Sequence, residues 1–205
     1  MTHVYVAKKP GYSLEISYDL YADSPRCGDI LGTFVMGHKK YQFGDEQANN
    51  LELYSTWDEW FEEEVDIPNR REVIYLPVYG YDHSGFALST EPFADRWDSG
   101  QVGMIYCTFD EAKDWFKDDD YHDQAQQQFR EEIEILNTWI AGEVYSYALL
   151  REDRCSHCNQ DIRELLEGCT GFYGDNFKEN GLLDSLPEEH QHLIDELKLK
   201  DANYS

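Results

Sequence analysis

The sequence predicts an α+β protein, a mainly antiparallel sheet with acidic helices packed on it, in a single domain of residues 1–205. Three observations carry that expectation. Stretches near the N-terminus alternate apolar and polar residues with the period of two that a half-buried strand requires. Later stretches place Leu, Trp, Phe and Tyr at helical spacing among carboxylates, as helices with one face on a core do. Of the 205 residues, 41% are hydrophobic and 15% aromatic, so the chain has the material for a core and lacks the low-aromatic composition of a disordered acidic tail.

Residues 3–7, 13–20 and 31–36 (HVYVA, SLEISYDL, LGTFVM) read as three strands, with Gly and Pro between them. From Gly44 to Glu64, the residues Leu51, Leu53, Tyr54, Trp57, Trp60 and Phe61 recur near helical spacing, which predicts one helix ending before Pro68. Strand character returns at Glu72 to Tyr79 and at Gly103 to Thr108, while Phe109 to Lys117 and Tyr121 to Ala141 read as helices. Gly142 is a helix stop ahead of Glu143 to Leu150, whose alternation predicts a central strand. A short cysteine turn and a helix are expected next, then a partly apolar helix from Pro187 to Leu199 and a frayed end at Asp201 to Ser205. The alternative division sets apart a small C-terminal helical subdomain, residues 151–205.

Lys and Arg number 17 against 42 Asp and Glu, a formal charge of −25. This excludes a nucleic-acid binder that works through a general basic surface, so no direct nucleic-acid binding is expected. No apolar stretch reaches the roughly 18 residues of a membrane helix, and Met1 to Pro10 lacks the apolar core of a signal peptide. No membrane role is expected, and the location expected is the cytoplasm. Five cysteines, at 27, 107, 155, 158 and 169, form an odd set in a chain too long to need disulfide staples, so reduced thiols are expected.

The acidity is uneven. Residues 42–66 hold nine carboxylates and no Lys or Arg, and residues 108–134 hold ten against three basic residues. On a helix, Asp58, Glu59, Glu62, Glu63 and Asp66 fall at steps of three and four, where like charges repel by a few tenths of a kcal/mol per pair. A rigid row of carboxylates can imitate DNA phosphates, spaced about one per 1.7 Å of duplex axis, and 25 charges match roughly a dozen base pairs. Such a mimic competes for the basic groove of a nucleic-acid enzyme by electrostatic steering. The plainer alternative is an acidic surface that supplies solubility.

A second candidate is the loop from Tyr81 to Gly103, framed by Asp82-His83-Ser84-Gly85 and Trp97-Asp98-Ser99-Gly100-Gln101. His83 offers a base, Asp82 or Asp98 an orienting carboxylate, and Ser84 or Ser99 a hydroxyl, the components of acid–base or nucleophilic work. Sequence neighbours on a strand point to opposite faces, so adjacency alone makes no triad. The structural alternative is a set of Asx and Ser turns with Trp97 buried and His83 capping a buried network. His38, Lys39 and Lys40 form an isolated basic spot, either a phosphate holder or a strand end. Cys155-x-x-Cys158 supplies two thiolates at the bite of tetrahedral zinc, with Cys169 the obvious third ligand and no second such pair. No cofactor is the primary expectation, and zinc at Cys155, Cys158 and Cys169 is the alternative.

Three blocks carry a resemblance: Ser24-Pro25-Arg26 with Leu31-Gly32-Thr33 and His38 to Asp45, the loop ending in Trp97-Asp-Ser-Gly-Gln-Val-Gly103, and Gly142-Glu-Val-Tyr-Ser-Tyr147. With the Cys-x-x-Cys and Gly171-Phe-Tyr-Gly174 further on, residues 12–184 resemble a family of uncharacterised proteins carried by tailed phages, prophages and plasmids. The resemblance implies a mobile-element setting and assigns no catalytic residue. In charge and context alone, the chain is similar to acidic antirestriction and anti-CRISPR proteins. The expectation is an inhibitor, not an enzyme, that blocks DNA binding by a host nucleic-acid-binding defence protein or complex. Glu59, Glu62, Glu63, Asp66, Asp118, Asp119, Asp120 and Asp123 would stand in for phosphates, with Trp57 or Trp60 as apolar anchor. The alternative is a small enzyme or ligand-binding protein using Asp82, His83, Ser84, Asp98, Ser99 and Gln101.

Overall fold

A computed structural model describes residues 3–65 and 72–199. In chain order, β1 (His3–Lys9) and β2 (Tyr12–Tyr18) form a hairpin across Gly11, whose φ of +86° suits a residue without a side chain. There follow β3 (Thr33–Met36), β4 (Glu46–Gln47), α1 (Trp57–Glu64), β5 (Val73–Asp82), β6 (Phe86–Ser89) and β7 (Ser99–Thr108). Helices α2 (Phe109–Phe116) and α3 (Tyr121–Ile140) precede β8 (Val144–Arg154) and β9 (Asp161–Tyr173). The chain closes with α4 (Leu182–Ser185), a 3-10 run Glu188–Glu196 and β10 (Lys198–Leu199). The fold is α+β with mostly antiparallel strands, divided between two five-stranded sheets. Each sheet belongs to one of two compact units, residues 24–141 and residues 1–23 with 142–205.

The unit of residues 24–141 has strand order β4-β3-β7-β5-β6, with only β3 and β4 parallel. Strand alternation sends Phe34, Met36, Ile74, Val78, Ile105 and Cys107 to one face, where α2 and α3 cover them with Ala112, Ala125, Phe129, Ile133 and Leu136. Val35 and Met104 point to the other face, where Trp60, Phe61 and Val65 pack on them. This segment is a helix only from Trp57, not from Gly44. Asn50 sits at φ 58°, which interrupts helical geometry, and the Thr56 side chain accepts the Glu59 N–H at 3.1 Å as the N-cap. The expected end before Pro68 and the carboxylate of Asp66 lie outside the described residues.

The unit of residues 1–23 and 142–205 has strand order β10-β1-β2-β8-β9. Ala7, Leu14, Ile16, Tyr145, Tyr147 and Leu149 make one buried face, covered by Phe177, Leu182, Leu186, Leu193 and Ile194. The helix expected after the cysteine turn is instead β9, and residues 151–205 are not a helical subdomain. Ile162, Leu165 and Leu166 fall at helical spacing, but β9 pairs with β8 from Arg154–Asp161 to Val144–Tyr173, and that ladder overrides the local pattern. All three side chains remain exposed. Leu193, Ile194 and Leu197 pack on this core, although from 3-10 geometry, whereas Leu199 lies in β10 and is exposed; Asp201 to Ser205 lie outside the described residues.

Candidate functional site

The segment from Tyr81 to Gly103 holds β6 and the facing ends of β5 and β7, joined by irregular chain. Tyr81 pairs with Ser99, and just beyond, the Asp82 N–H donates to the Asp98 carbonyl at 2.9 Å. Past this last rung, His83 Nδ1 lies 2.7 Å from Asp98 Oδ2, and Lys40 Nζ donates to Asp82 Oδ2 at 2.9 Å. The two carboxylates therefore have separate partners, with Asp98 orienting the imidazole and Asp82 holding a lysine. Ser84 is exposed in the turn to β6. The Ser99 hydroxyl donates to the Asp95 carbonyl, and Gln101 Nε2 donates to the Gly103 carbonyl at 3.3 Å. Trp57 Nε1 donates to the Gln101 carbonyl at 3.2 Å. Of the six predicted residues, the structure joins only His83 and Asp98 side chain to side chain.

Trp97 is 96% exposed, which corrects the expectation that it is buried. Its N–H closes an Asx turn on Asp95 Oδ1 at 2.9 Å, and the indole projects from that turn into solvent. Nor is His83 part of a buried network, since its side chain is 64% exposed. The basic spot is a strand-end structure: His38 Nδ1 accepts the N–H groups of Lys40 and Tyr41, both at 3.3 Å, beside the rings of Tyr41 and Phe86. Burial lowers the His38 pKa below its ordinary 6.5, against the opposing pull of Asp82.

The predicted phosphate mimics are exposed wherever they are described, but they form two clusters. Glu59, Glu62 and Glu63 ride on α1, while Asp118, Asp119 and Asp120 form the turn between α2 and α3, and Asp123 opens α3. Because α1 covers one face of the sheet and α2 and α3 the other, the clusters lie on opposite sides of one unit. Two of these residues also serve the fold. Glu59 Oε2 accepts the Ser55 N–H at 2.9 Å and Asp118 Oδ1 the Asp120 N–H at 3.2 Å. None of the seven pairs with Lys or Arg among the described residues. Trp60 is buried and donates Nε1–H to the Asn49 carbonyl at 2.7 Å, and Trp57 is half-buried against it, so neither is a free anchor. Trp97 is far more exposed than Trp115 on α2, the other exposed indole, and only its acidic, glycine-bounded surroundings marked it in sequence.

A network that sequence reasoning did not assign lies under α3. The Arg26 guanidinium grips Asp45 through Nε at 3.0 Å and Nη2 at 2.5 Å, reaches Glu132 Oε2 through Nη1 at 2.9 Å, and donates to the Gly32 carbonyl. Glu132 in turn accepts the Leu31 N–H at 2.8 Å, and Asp45 accepts the Phe34 N–H at 2.7 Å. Burial acts to lower the Arg26 pKa, and the two carboxylates more than reverse that, so it stays charged. The blocks Ser24-Pro-Arg, Leu31-Gly-Thr and Gly44-Asp45 thus meet around one cation. The legible signal was Glu132 itself, a carboxylate within the apolar stripe Ala125, Phe129, Ile133 and Leu136. With every polar group partnered and no opening to solvent needed, this is a structural keystone.

The cysteines divide too. Cys155 and Cys158 sit at the β8–β9 turn, whereas Cys169 pairs with Tyr147, eight positions before Cys155 on β8, or about 26 Å at 3.3 Å per residue. Cys169 is therefore no third ligand to the pair. Hydrogen bonds from the Cys158 and His157 backbone N–H groups, and from the Cys158 thiol, hold the Cys155 pKa below the ordinary thiol value. Cys107 is the opposite case, buried in the sheet with its thiol pushed up to about 12 by desolvation. No family model, curated protein or solved structure matches this chain.

Proposed function

We propose that the chain is a mobile-element inhibitor that occupies the nucleic-acid groove of a host defence nuclease or its targeting complex. The observation that carries this reading is the set of exposed carboxylates on α1 and the α2–α3 turn that pair with no Lys or Arg among the described residues. Residues 24–141 hold 25 Asp and Glu against nine Lys and Arg, a net −16, so the negative field is strongest on that unit. Unpaired surface carboxylates lower stability slightly through mutual repulsion and favour approach to a cationic groove. Because the clusters occupy opposite sides of a sheet, the partner either wraps the unit or reads one cluster, and Trp97 replaces Trp57 and Trp60 as the apolar anchor.

The test is capture by tagged protein from phage- or plasmid-bearing host lysate, comparing the native chain with Glu62→Lys/Glu63→Lys and Asp119→Lys/Asp120→Lys. These residues make no cap hydrogen bond, so the fold should persist. The expected result is recovery of a nuclease or targeting complex that is lost with added duplex DNA, with salt, and in at least one of the double variants. Equal recovery by both variants, or recovery indifferent to DNA, refutes the mimic. The His83–Asp98 pair supports a second reading, an oriented base with its far nitrogen in solvent, serving a small-molecule substrate. In that case His83→Ala abolishes function and the charge reversals do not.

A further inference from the structure

The tip of the β8–β9 hairpin is arranged as half of a metal site. The Cys155 N–H donates to the Gln160 carbonyl at 2.8 Å and the Asn159 N–H to the Cys155 carbonyl at 2.9 Å, with Asn159 in the left-handed region at φ 59°. This turn brackets Cys155 and Cys158 within one closed loop, with the Cys158 thiol 3.6 Å from Gln160 Oε1. A tight turn holding a Cys-x-x-Cys pair fixes the spacing of two ligands of a tetrahedral site.

The chain does not complete the set. Among the described residues no three His, Cys, Asp or Glu side chains gather at one point, and Cys169 is far down the ladder. A structural zinc takes four such donors. The tip is also where a second copy can approach a chain of charge −25, because residues 153–161 carry only Asp153, Asp161 and Arg154, the last two paired, for a net −1. The roughly 26 Å of ribbon between the tip and Tyr147 is several times the Debye length of about 8 Å at physiological salt.

We propose that two copies of this chain bind one Zn2+ between their hairpin tips, Cys155 and Cys158 of each supplying the four thiolates. Each thiol releases its proton to solvent, four Zn–S bonds form, the centre carries −2, and no oxidation state changes. Arg154, bonded through Nε to Asp161 at 3.2 Å and otherwise exposed, stands beside that negative centre on both copies. The proposal concerns the unit of residues 1–23 and 142–205 and is independent of the mimic reading.

The test adds Zn2+ or Co2+ alone to reduced, metal-free full chain and measures mass by light scattering and metal content. The expected result is half a metal ion per chain, doubling of the 24.1 kDa mass, and reversal by chelator. Co2+ should give the thiolate charge-transfer and tetrahedral visible bands of a four-sulfur site. Cys155→Ser or Cys158→Ser should remove bands and doubling together, and Cys169→Ser should leave both, with circular dichroism unchanged in all three because the tip bears no core residue and Cys169 is exposed. One metal per chain at unchanged mass, doubling without metal, or doubling that survives Cys155→Ser overturns the proposal.

Discussion

Glu132→Ala removes the acceptor of four groups at once: Arg26 Nη1, the Leu31 N–H, the Gly32 N–H and Gln128 Nε2. The Arg26 and Glu132 side chains are 5% and 4% exposed, so water does not replace what is lost. Breaking a buried ion pair from one side costs about 3–5 kcal/mol, and Asp45 still grips Arg26, so about 4 kcal/mol is expected. At a urea dependence of about 2 kcal/mol per molar, the unfolding midpoint falls by about 2 M. The readout is built in, because all five tryptophans, at 57, 60, 97, 115 and 139, lie in residues 24–141, and tryptophan fluorescence reports that unit alone. Glu132→Gln keeps an oxygen for Leu31 but sets an amide N–H2 against the guanidinium, and should cost about half as much. Glu131→Ala, one residue away and exposed, should stay within about 0.5 kcal/mol. A midpoint shift under about 0.5 M for Glu132→Ala would refute the keystone role.

Three further outcomes follow from the packing. A Cβ at Gly103 would meet the Val35 carbonyl at 2.3 Å and Phe34 Cε2 at 2.7 Å, whereas one at Gly100 meets nothing within 4 Å. Gly103→Ala should therefore destabilise by about 3 kcal/mol or more and Gly100→Ala by under about 1 kcal/mol; equal urea midpoints would contradict this. With iodoacetamide under native reducing conditions, peptide mapping should find Cys155 modified first and Cys107 untouched until denaturant is added; comparable rates at the two would overturn the assignment. His38 should titrate by NMR below 6.5, because burial and its two accepted N–H bonds favour the neutral ring. The unfolded state then binds more protons between the two pKa values, so this contribution to stability is complete above 6.5 and is lost as pH falls from there to the folded value. A His38 midpoint at or above 6.5 would be inconsistent with that geometry.

Period-two alternation made β1, β2 and β8 legible, because each has one face on a core and the neighbouring face polar. It failed at β9, where the outer part of the ribbon has no core to face and Ile162, Leu165 and Leu166 follow a helical period by chance of spacing. The strings that stood out most, around Gly32, Gly44 and Gly103, hold glycines where a Cβ would meet the Ile105 and Phe129 side chains, the Phe34 carbonyl and the Val35 carbonyl in turn, which a one-dimensional pattern cannot separate from a catalytic glycine loop. The carboxylates were visible as a count, but their division between two faces of a sheet depends on strand alternation at Phe34 and Val35. Arg26, Asp45 and Glu132 are 19 and 106 residues apart in pairs, and nothing local announces a contact at such separations.

Strands β2 and β8 pair directly, from Tyr12–Arg151 to Tyr18–Tyr145, yet residues 24–141 are synthesised between them. At 5–20 residues per second, those 118 residues take about 6–24 s to leave the ribosome. Throughout that interval the β1–β2 hairpin carries an open edge with Leu14 and Ile16 uncovered, while residues 24–141 already hold everything their own core requires. Assembly is therefore ordered by translation: the inserted segment can mature first, and the N-terminal hairpin must be kept from false pairing until its late partner emerges. Slowing the ribosome inside residues 24–141 lengthens that exposure without changing a single residue of the finished protein.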